Sequence, residues 1–86
     1  MARSSFDERF PERTSQTAKA LARNVRKLRK SKGWSQGQLA SRLEVEQTAV
    51  SLIENCRANP TLATLEALAS SLGVRFVELF EARPGK

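Results

Sequence analysis

Two short amphipathic segments separated by only about three residues constrain this chain more than any other feature of its sequence. The first segment opens with Ser35, and Gln38 three positions later completes a capping-box pattern. The spacing predicts one helix over about 36–43, a break at Glu44–Val45, and a second helix over about Gln47–Asn55. A link this short forces the two helices to cross steeply. The pattern therefore predicts a tight helical hairpin.

Apolar residues at helical spacing predict three further helices around this hairpin. One precedes it, from Ser15 to a stop at Gly33; one follows it, from the cap Thr61 to a stop at Gly73; and a short last helix covers roughly Phe76–Ala82. Their apolar residues are Ala18, Leu21, Val25 and Leu28, then Leu62, Leu65, Leu68, Ala69 and Leu72, then Val77, Leu79 and Phe80. With no strand pattern, the sequence predicts a compact all-α fold of five helices.

The domain organisation follows from where this periodicity begins and ends. A chain of 86 residues suffices for one domain with one modest core. Residues 1–14 show no clear period and are predicted to be an N-terminal arm, which in most proteins is mobile. The helical domain is predicted over 15–82, and 83–86 form a short tail.

The positive charge of the chain is concentrated in one block. Fifteen Lys and Arg against nine Asp and Glu give a net charge of +6, and this excess favours a polyanionic partner. Residues 19–32 contain no acid and hold Lys19, Arg23, Arg26, Lys27, Arg29, Lys30 and Lys32. Such a block is often only a solvated face, but it also attracts DNA. A membrane surface is a weak alternative, because the apolar stripe of this helix is needed for the core.

The chemistry of the remaining residues excludes several function classes. A single cysteine, Cys56, and no histidine argue against an internal disulfide and a structural metal site. No nucleophile is paired with a base, so an enzyme is not expected, and no cofactor is predicted. No apolar run reaches the length of a membrane span, which predicts a cytoplasmic protein. Cys56 is expected to be an ordinary turn residue, with a redox switch as the alternative.

The outer face of the second hairpin helix points to a function. It consists of short, almost uncharged side chains: Gln47, Thr48, Ser51, Leu52 and Asn55. Side chains that donate and accept hydrogen bonds on a helix suit the edges of bases in a major groove. The alternative is an exposed polar face with no partner.

Several motifs, in order along the chain, carry a family resemblance. They are Trp34-Ser35-Gln36-x-Gln38-Leu39-Ala40, then Val50-Ser51-Leu52-Ile53-Glu54-Asn55, then Asn59-Pro60-Thr61-Leu62, and finally Leu72-Gly73-Val74. Over roughly Leu21–Phe80 the chain resembles the lambda-repressor/Cro-like family, the XRE-type helix-turn-helix. The resemblance implies five helices, with the hairpin as the unit that reads double-stranded DNA, and dimers on near-palindromic operators.

The resemblance also implies roles for single residues. Base contacts are expected from Gln47, Thr48, Ser51 and Leu52, with Gln47 pairing with adenine and Leu52 offering apolar contact to a thymine methyl. Phosphate contacts are expected from Gln36, Asn55 and Arg57, and secondarily from Arg29. Arg29 and Glu54 occupy the positions of an ion pair that ties the first helix to the third.

Three positions depart from the family pattern. Glu44 stands where the family usually has a turn glycine, so either a left-handed backbone costs roughly 1 kcal/mol or the turn has another geometry. Cys56 replaces the glycine that commonly follows the third helix, and Glu46 replaces a serine cap.

Together these patterns predict a homodimeric transcriptional regulator, a repressor or autoregulator located on the nucleoid. At least one of Val77 and Phe80 is expected at the dimer contact, with a place in the core as the alternative, and Leu79 is expected in the core. The alternative is an antitoxin-type module that binds its own operator and also a protein partner, through an N-terminal arm carrying Phe6 and Phe10.

Overall fold

A computed structural model describes residues 15–82 of the chain. The predicted arm 1–14, with Phe6 and Phe10, and the predicted tail 83–86 lie outside the described residues. The partner-binding role predicted for the arm therefore stays a prediction.

Four α-helices and one 3₁₀ helix make up the described part of the chain, which contains no strand. They are α1 (Gln16–Ser31), α2 (Gln36–Leu43), α3 (Gln47–Glu54), α4 (Leu62–Leu72) and the 3₁₀ helix (Phe76–Phe80). The all-α prediction is confirmed for these residues, and the hairpin breaks where the sequence predicts. The count of five helices is not confirmed, and the last segment is a 3₁₀ helix that ends at Phe80 and does not reach Ala82.

A buried asparagine accounts for the early end of that last helix. Asn24 of α1 is fully buried, and its Nδ2 donates to the carbonyl oxygens of Leu79 at 2.8 Å and Glu81 at 2.6 Å. A further α-helical turn would need these carbonyls for its own N–H groups. Asn24 thus ends the 3₁₀ helix and joins it to α1.

Side-chain caps start three of the four α-helices. Ser15 accepts from the N–H of Ala18 at 3.0 Å, and Thr61 accepts from that of Thr64 at 3.2 Å. Ser35 forms the predicted capping box with Gln38 at the start of α2. Glu46 occupies the cap position of α3 but makes no side-chain cap hydrogen bond.

All four α-helices end in the same way. One or two positions after the last residue of each helix, the backbone is left-handed. The residues with positive φ are Gly33, Glu44, Cys56 and Gly73. The next N–H then donates to a carbonyl five residues back, as in Trp34 to Arg29, Val45 to Ala40, Arg57 to Leu52 and Val74 to Ala69. This 6→1 bond is the mark of a Schellman motif. Glu44 (φ 58°) and Cys56 (φ 60°) therefore keep the backbone that glycine would give, and the question left open for the turn is resolved in favour of left-handed geometry.

Each helical element contributes one fully buried apolar side chain to a single core. These residues are Val25 of α1, Leu39 of α2, Val50 of α3, Leu68 of α4 and Leu79 of the 3₁₀ helix. α1 packs against α3 and the 3₁₀ helix, while α2 packs against α3 and α4. The predicted core position of Leu79 is confirmed.

A buried ion pair fixes the end of α3 against α1. The Glu54 side chain is fully buried, and its carboxylate accepts from Nε and Nη2 of Arg29 at 2.6 and 2.9 Å. Gln36 of α2 donates to the same carboxylate at 3.2 Å, and Nε of Arg26 lies 3.7 Å away. Burial raises the pKa of Glu54, but hydrogen bonds from Arg29 and Gln36 and the charges of Arg29 and Arg26 outweigh it and leave the pKa lowered.

We predict that Glu44→Gly stabilises the protein by about 0.5–1 kcal/mol. Glycine removes the cost of a side chain in the left-handed region, and it loses part of that gain through the entropy of the unfolded chain. Urea unfolding followed by the fluorescence of the single tryptophan, Trp34, measures the change. Glu44→Ala is the matched control, because it removes the charge and keeps a Cβ. Equal stabilities of the two variants would contradict the strain at Glu44.

We predict that Glu54→Gln destabilises the protein by about 3–5 kcal/mol at pH 7, because it leaves the Arg29 guanidinium buried without a counter-charge. A carboxyl with a lowered pKa stabilises the fold above the pKa of the unfolded chain, about 4.3, and this stabilisation is lost as the pH falls below it. The difference in the free energy of unfolding between wild type and Glu54→Gln should therefore become smaller below about pH 4.

Urea titrations at several pH values measure that difference. Glu66→Gln, on the exposed surface of α4, is the control and should change stability by less than about 0.5 kcal/mol. A difference that stays constant down to pH 3 would show that the Glu54 charge does not stabilise the fold.

Candidate nucleic-acid interface

Four polar side chains from α2 and α3 meet in one open groove on the protein surface. The groove has a volume of about 330 Å³ and is lined by Gln36, Gln47, Thr48 and Ser51. It lies where both helices begin, because the left-handed turn at Glu44 brings the first residue of α3 beside the first turn of α2. Both helices therefore direct the positive ends of their dipoles toward this groove.

The three α3 residues of the groove differ in exposure. Gln47 and Thr48 are exposed and Ser51 is half-buried. None carries a charge, and together they offer amide and hydroxyl donors and acceptors on one helix face. Of the residues predicted to contact bases, the structure therefore brings these three together.

Leu52, the fourth predicted base contact, faces another part of the surface. It is half-buried and lines a neighbouring, mainly apolar groove together with Val45, Ala49 and Arg57. Its exposed part is available only for apolar contact, as the sequence predicts.

Gln36 has a partner inside the protein as well as a place in the groove. Its Nε2 donates to the buried carboxylate of Glu54, so the side chain is held at the start of α2. Sequence reasoning predicts a phosphate contact for Gln36 but not this bond. The bond couples a groove residue to the ion pair at the end of α3.

The predicted phosphate contacts at the other end of α3 lie in different environments. Asn55 is exposed, and its Nδ2 donates to the Ser51 carbonyl at 2.8 Å and to the Ser51 hydroxyl at 3.3 Å. Arg57 is half-buried beside the apolar groove that Leu52 lines. Both remain close to the C-terminal end of α3.

Arg29 makes the predicted ion pair, and little of its guanidinium group is left exposed to bind a phosphate. Its Nη1 donates to the Trp34 carbonyl at 2.8 Å, its other nitrogens bind Glu54, and its side chain is only 10% exposed. The hydrogen bond and charge of Glu54 raise the pKa of Arg29 despite its burial. The ion pair of Arg29 is therefore observed, and its secondary phosphate contact stays a prediction.

Two further cations surround the tryptophan that precedes α2. Arg42 lies over the Trp34 ring at 4.1 Å from its centroid, and Nζ of Lys32 lies at 5.5 Å. Cations held against an aromatic face keep their charge and lose some freedom. Positive charge is thus concentrated next to the start of α2, two residues before Gln36.

Sequence reasoning missed three residues that shape this region. Arg26 lies one helical turn before Arg29 and donates to the Glu54 carbonyl at 3.3 Å, a role that its spacing could have indicated. Asn24 interrupts the apolar stripe of α1, which is a signal of a satisfied buried amide. Gly37 lies against the side chain of Gln47, and no pattern in the sequence indicates this contact.

Two other kinds of site are absent from residues 15–82. No group of three His, Cys, Asp or Glu side chains there is arranged to hold a metal ion. None of the helices in these residues combines the length with the hydrophobicity that a membrane span needs. The half-buried Cys56 forms no disulfide.

Comparison with known proteins agrees with this geometry. The family model HTH_3, described as helix-turn-helix, matches residues 25–79. A hypothetical transcription factor of Neisseria meningitidis is 42% identical over 59 residues, which make up 69% of this chain and 56% of that protein. The chain thus matches little more than half the length of this relative.

Solved structures show the same fold at similar identity. The crystal structure of a hypothetical transcription factor from Neisseria gives a TM-score of 0.74 at 37% identity, over 81% of this chain and 76% of that one. The restriction-modification controller protein C.AhdI of Aeromonas hydrophila gives 0.69 at 30% identity, over 73% and 96%. The chain therefore belongs to the HTH_3 helix-turn-helix family, the XRE-type or lambda-repressor-like class of DNA-binding transcriptional regulators.

Proposed function

We propose that this protein binds a palindromic operator as a homodimer, with α3 of each subunit in a major groove, and regulates transcription as a repressor or autoregulator. The observation that carries the proposal is the groove in which Gln36, Gln47, Thr48 and Ser51 meet. It offers uncharged hydrogen-bonding groups beside two helix N-termini, whose dipoles favour an anion. That combination suits base edges flanked by phosphates.

Within this proposal, base recognition falls to α3. The carboxamide of Gln47 pairs with the N6 and N7 atoms of an adenine, Thr48 and Ser51 bond to further base edges, and Leu52 contacts a thymine methyl. Gln47 is exposed at the first turn of α3, the part of a recognition helix that reaches bases.

Phosphate contacts flank this region and set the position of the protein on the duplex. Gln36, anchored on Glu54, holds one phosphate at the start of α2, where the helix dipole also favours an anion. Asn55 and Arg57 hold another beyond the end of α3. These contacts supply affinity without base preference.

The dimer contact is assigned to the 3₁₀ helix. Val77 is 51% exposed and Phe76 is 37% exposed, although both are apolar. The Phe76 ring lies 5.7 Å from that of the half-buried Phe80, so these two rings are adjacent. Exposed apolar clusters of this kind mark protein contacts. To occupy successive major grooves, such a dimer must hold its two recognition helices about 34 Å apart, one turn of DNA.

Repression is a consequence of where such a dimer binds. A protein that occupies an operator overlapping a promoter excludes the polymerase from the same DNA. The similarity to a restriction-modification controller protein also favours a regulatory role. The antitoxin-type alternative depends on the arm 1–14, and no observation on residues 15–82 favours it.

We predict that Gln47→Ala weakens binding to a duplex selected by the wild-type protein by about 1–3 kcal/mol and relaxes the preference for one base pair in each half-site. The reason is the loss of a bidentate amide contact. Fluorescence anisotropy with the selected duplex and its single-base variants measures both effects. The matched control is Gln16→Ala, since Gln16 is the exposed first residue of α1 and should leave both unchanged. Unaltered base preference in Gln47→Ala would refute the assignment of Gln47.

A further inference from the structure

Gly37 occupies a helical position for which the backbone does not require glycine. It is the second residue of α2, and the only described glycines with positive φ are Gly33 and Gly73. Glycine inside a helix is less favourable than alanine by about 0.5–1 kcal/mol. The reason for a glycine here must therefore lie in the space that a side chain would fill.

That space is occupied by the side chain of Gln47. A Cβ at Gly37 would lie 3.3 Å from the Gln47 Oε1 and 3.9 Å from its Cδ. The other neighbour, the Ser35 hydroxyl, would lie at 3.8 Å, an ordinary contact distance, and the capping box holds it in place. An added methyl would thus displace the Gln47 carboxamide by a few tenths of an ångström and leave Ser35 unmoved.

We propose that Gly37 is a specificity-determining residue, whose missing side chain lets the Gln47 carboxamide lie against the first turn of α2 in the position from which it contacts DNA. The inference rests on the proposed base contact of Gln47. A bidentate amide contact tolerates errors of only about 0.5 Å and 10–20°. A displacement of a few tenths of an ångström costs the fold almost nothing but uses up much of this tolerance, and it therefore weakens base discrimination.

The proposal predicts that Gly37→Ala lowers base discrimination without lowering the stability of the fold. The atom that a Cβ would meet is at the far end of a flexible side chain, so Gly37→Ala should fold and should gain helix propensity. Its melting temperature should equal or exceed that of the wild type. Its discrimination between the base pair that Gln47 contacts and the alternatives should fall by about 5-fold or more, within the range that one bidentate contact provides.

The experiment uses the full chain as wild type, Gly37→Ala, Gln47→Ala, the double variant, and Ser70→Ala. The last is a helix-propensity control on the exposed surface of α4, away from the groove. Each protein is melted, and each selects from the same pool of random-sequence DNA duplexes. Selected sites are then titrated with all four base pairs at the affected position.

Base discrimination should be reduced in Gly37→Ala and should equal that of the wild type in Ser70→Ala. Adding Gly37→Ala to Gln47→Ala should have no further effect, because no carboxamide is left to displace. Wild-type discrimination in Gly37→Ala, with a loss in Gln47→Ala, would overturn this inference and leave the proposed function intact. Uniform weakening on all sequences, or a lowered melting temperature, would overturn it too. Unchanged discrimination in both variants would overturn the role of Gln47 and this inference together.

Discussion

The carboxylate of Glu54 is the point on which the geometry of the proposed DNA-binding surface depends. It is buried at the last residue of α3 and receives donors from Arg29 of α1 and Gln36 of α2. A buried charge is stable only when its hydrogen-bonding positions are filled, so the helices that supply the donors cannot move independently of α3. Arg29 extends the connection by donating to the Trp34 carbonyl, just before α2. The Glu54 carboxylate thus fixes the position of α3 relative to α2, the other helix of the hairpin.

The hairpin turn completes this constraint at the opposite end of α3. Glu44 holds a left-handed backbone although it is not glycine, and the Val45 N–H closes the end of α2 on the Ala40 carbonyl. The chain accepts a local strain of about 1 kcal/mol because core packing of Leu39 and Val50 and the Glu54 network outweigh it. With both ends of α3 fixed, the helix backbone that carries the exposed face has a defined position before DNA binds. Pre-organisation of this kind reduces the entropy lost on binding.

Much of the fold could be predicted from the sequence, because the signals are local. Ser35 with Gln38, Thr61, Gly33 and Gly73 each mark a helix end by their own chemistry. The last helix could not be predicted in full, since its end depends on Asn24, more than 50 residues earlier. Family resemblance supplied the Arg29–Glu54 pair, which no periodicity contains.

The candidate site was predictable as a set of residues but not as a geometry. The exposed face of α3 follows from spacing alone, whereas the anchoring of Gln36 on Glu54 and the contact of Gln47 with Gly37 arise between elements. Such contacts depend on how two helices cross, which a sequence pattern does not specify. The backbone of Glu44 was only partly predictable. The family resemblance identified this position as a turn residue, and the structure shows that its backbone is left-handed.

Selection of bound sequences from a random DNA pool by the wild-type protein tests the central claim most directly. The account predicts enrichment of a near-palindrome whose half-sites lie about 10 base pairs apart, centre to centre, as expected for two recognition helices on one face of the duplex. Recovery of sequences with no common motif, or of one unrepeated site, would contradict it.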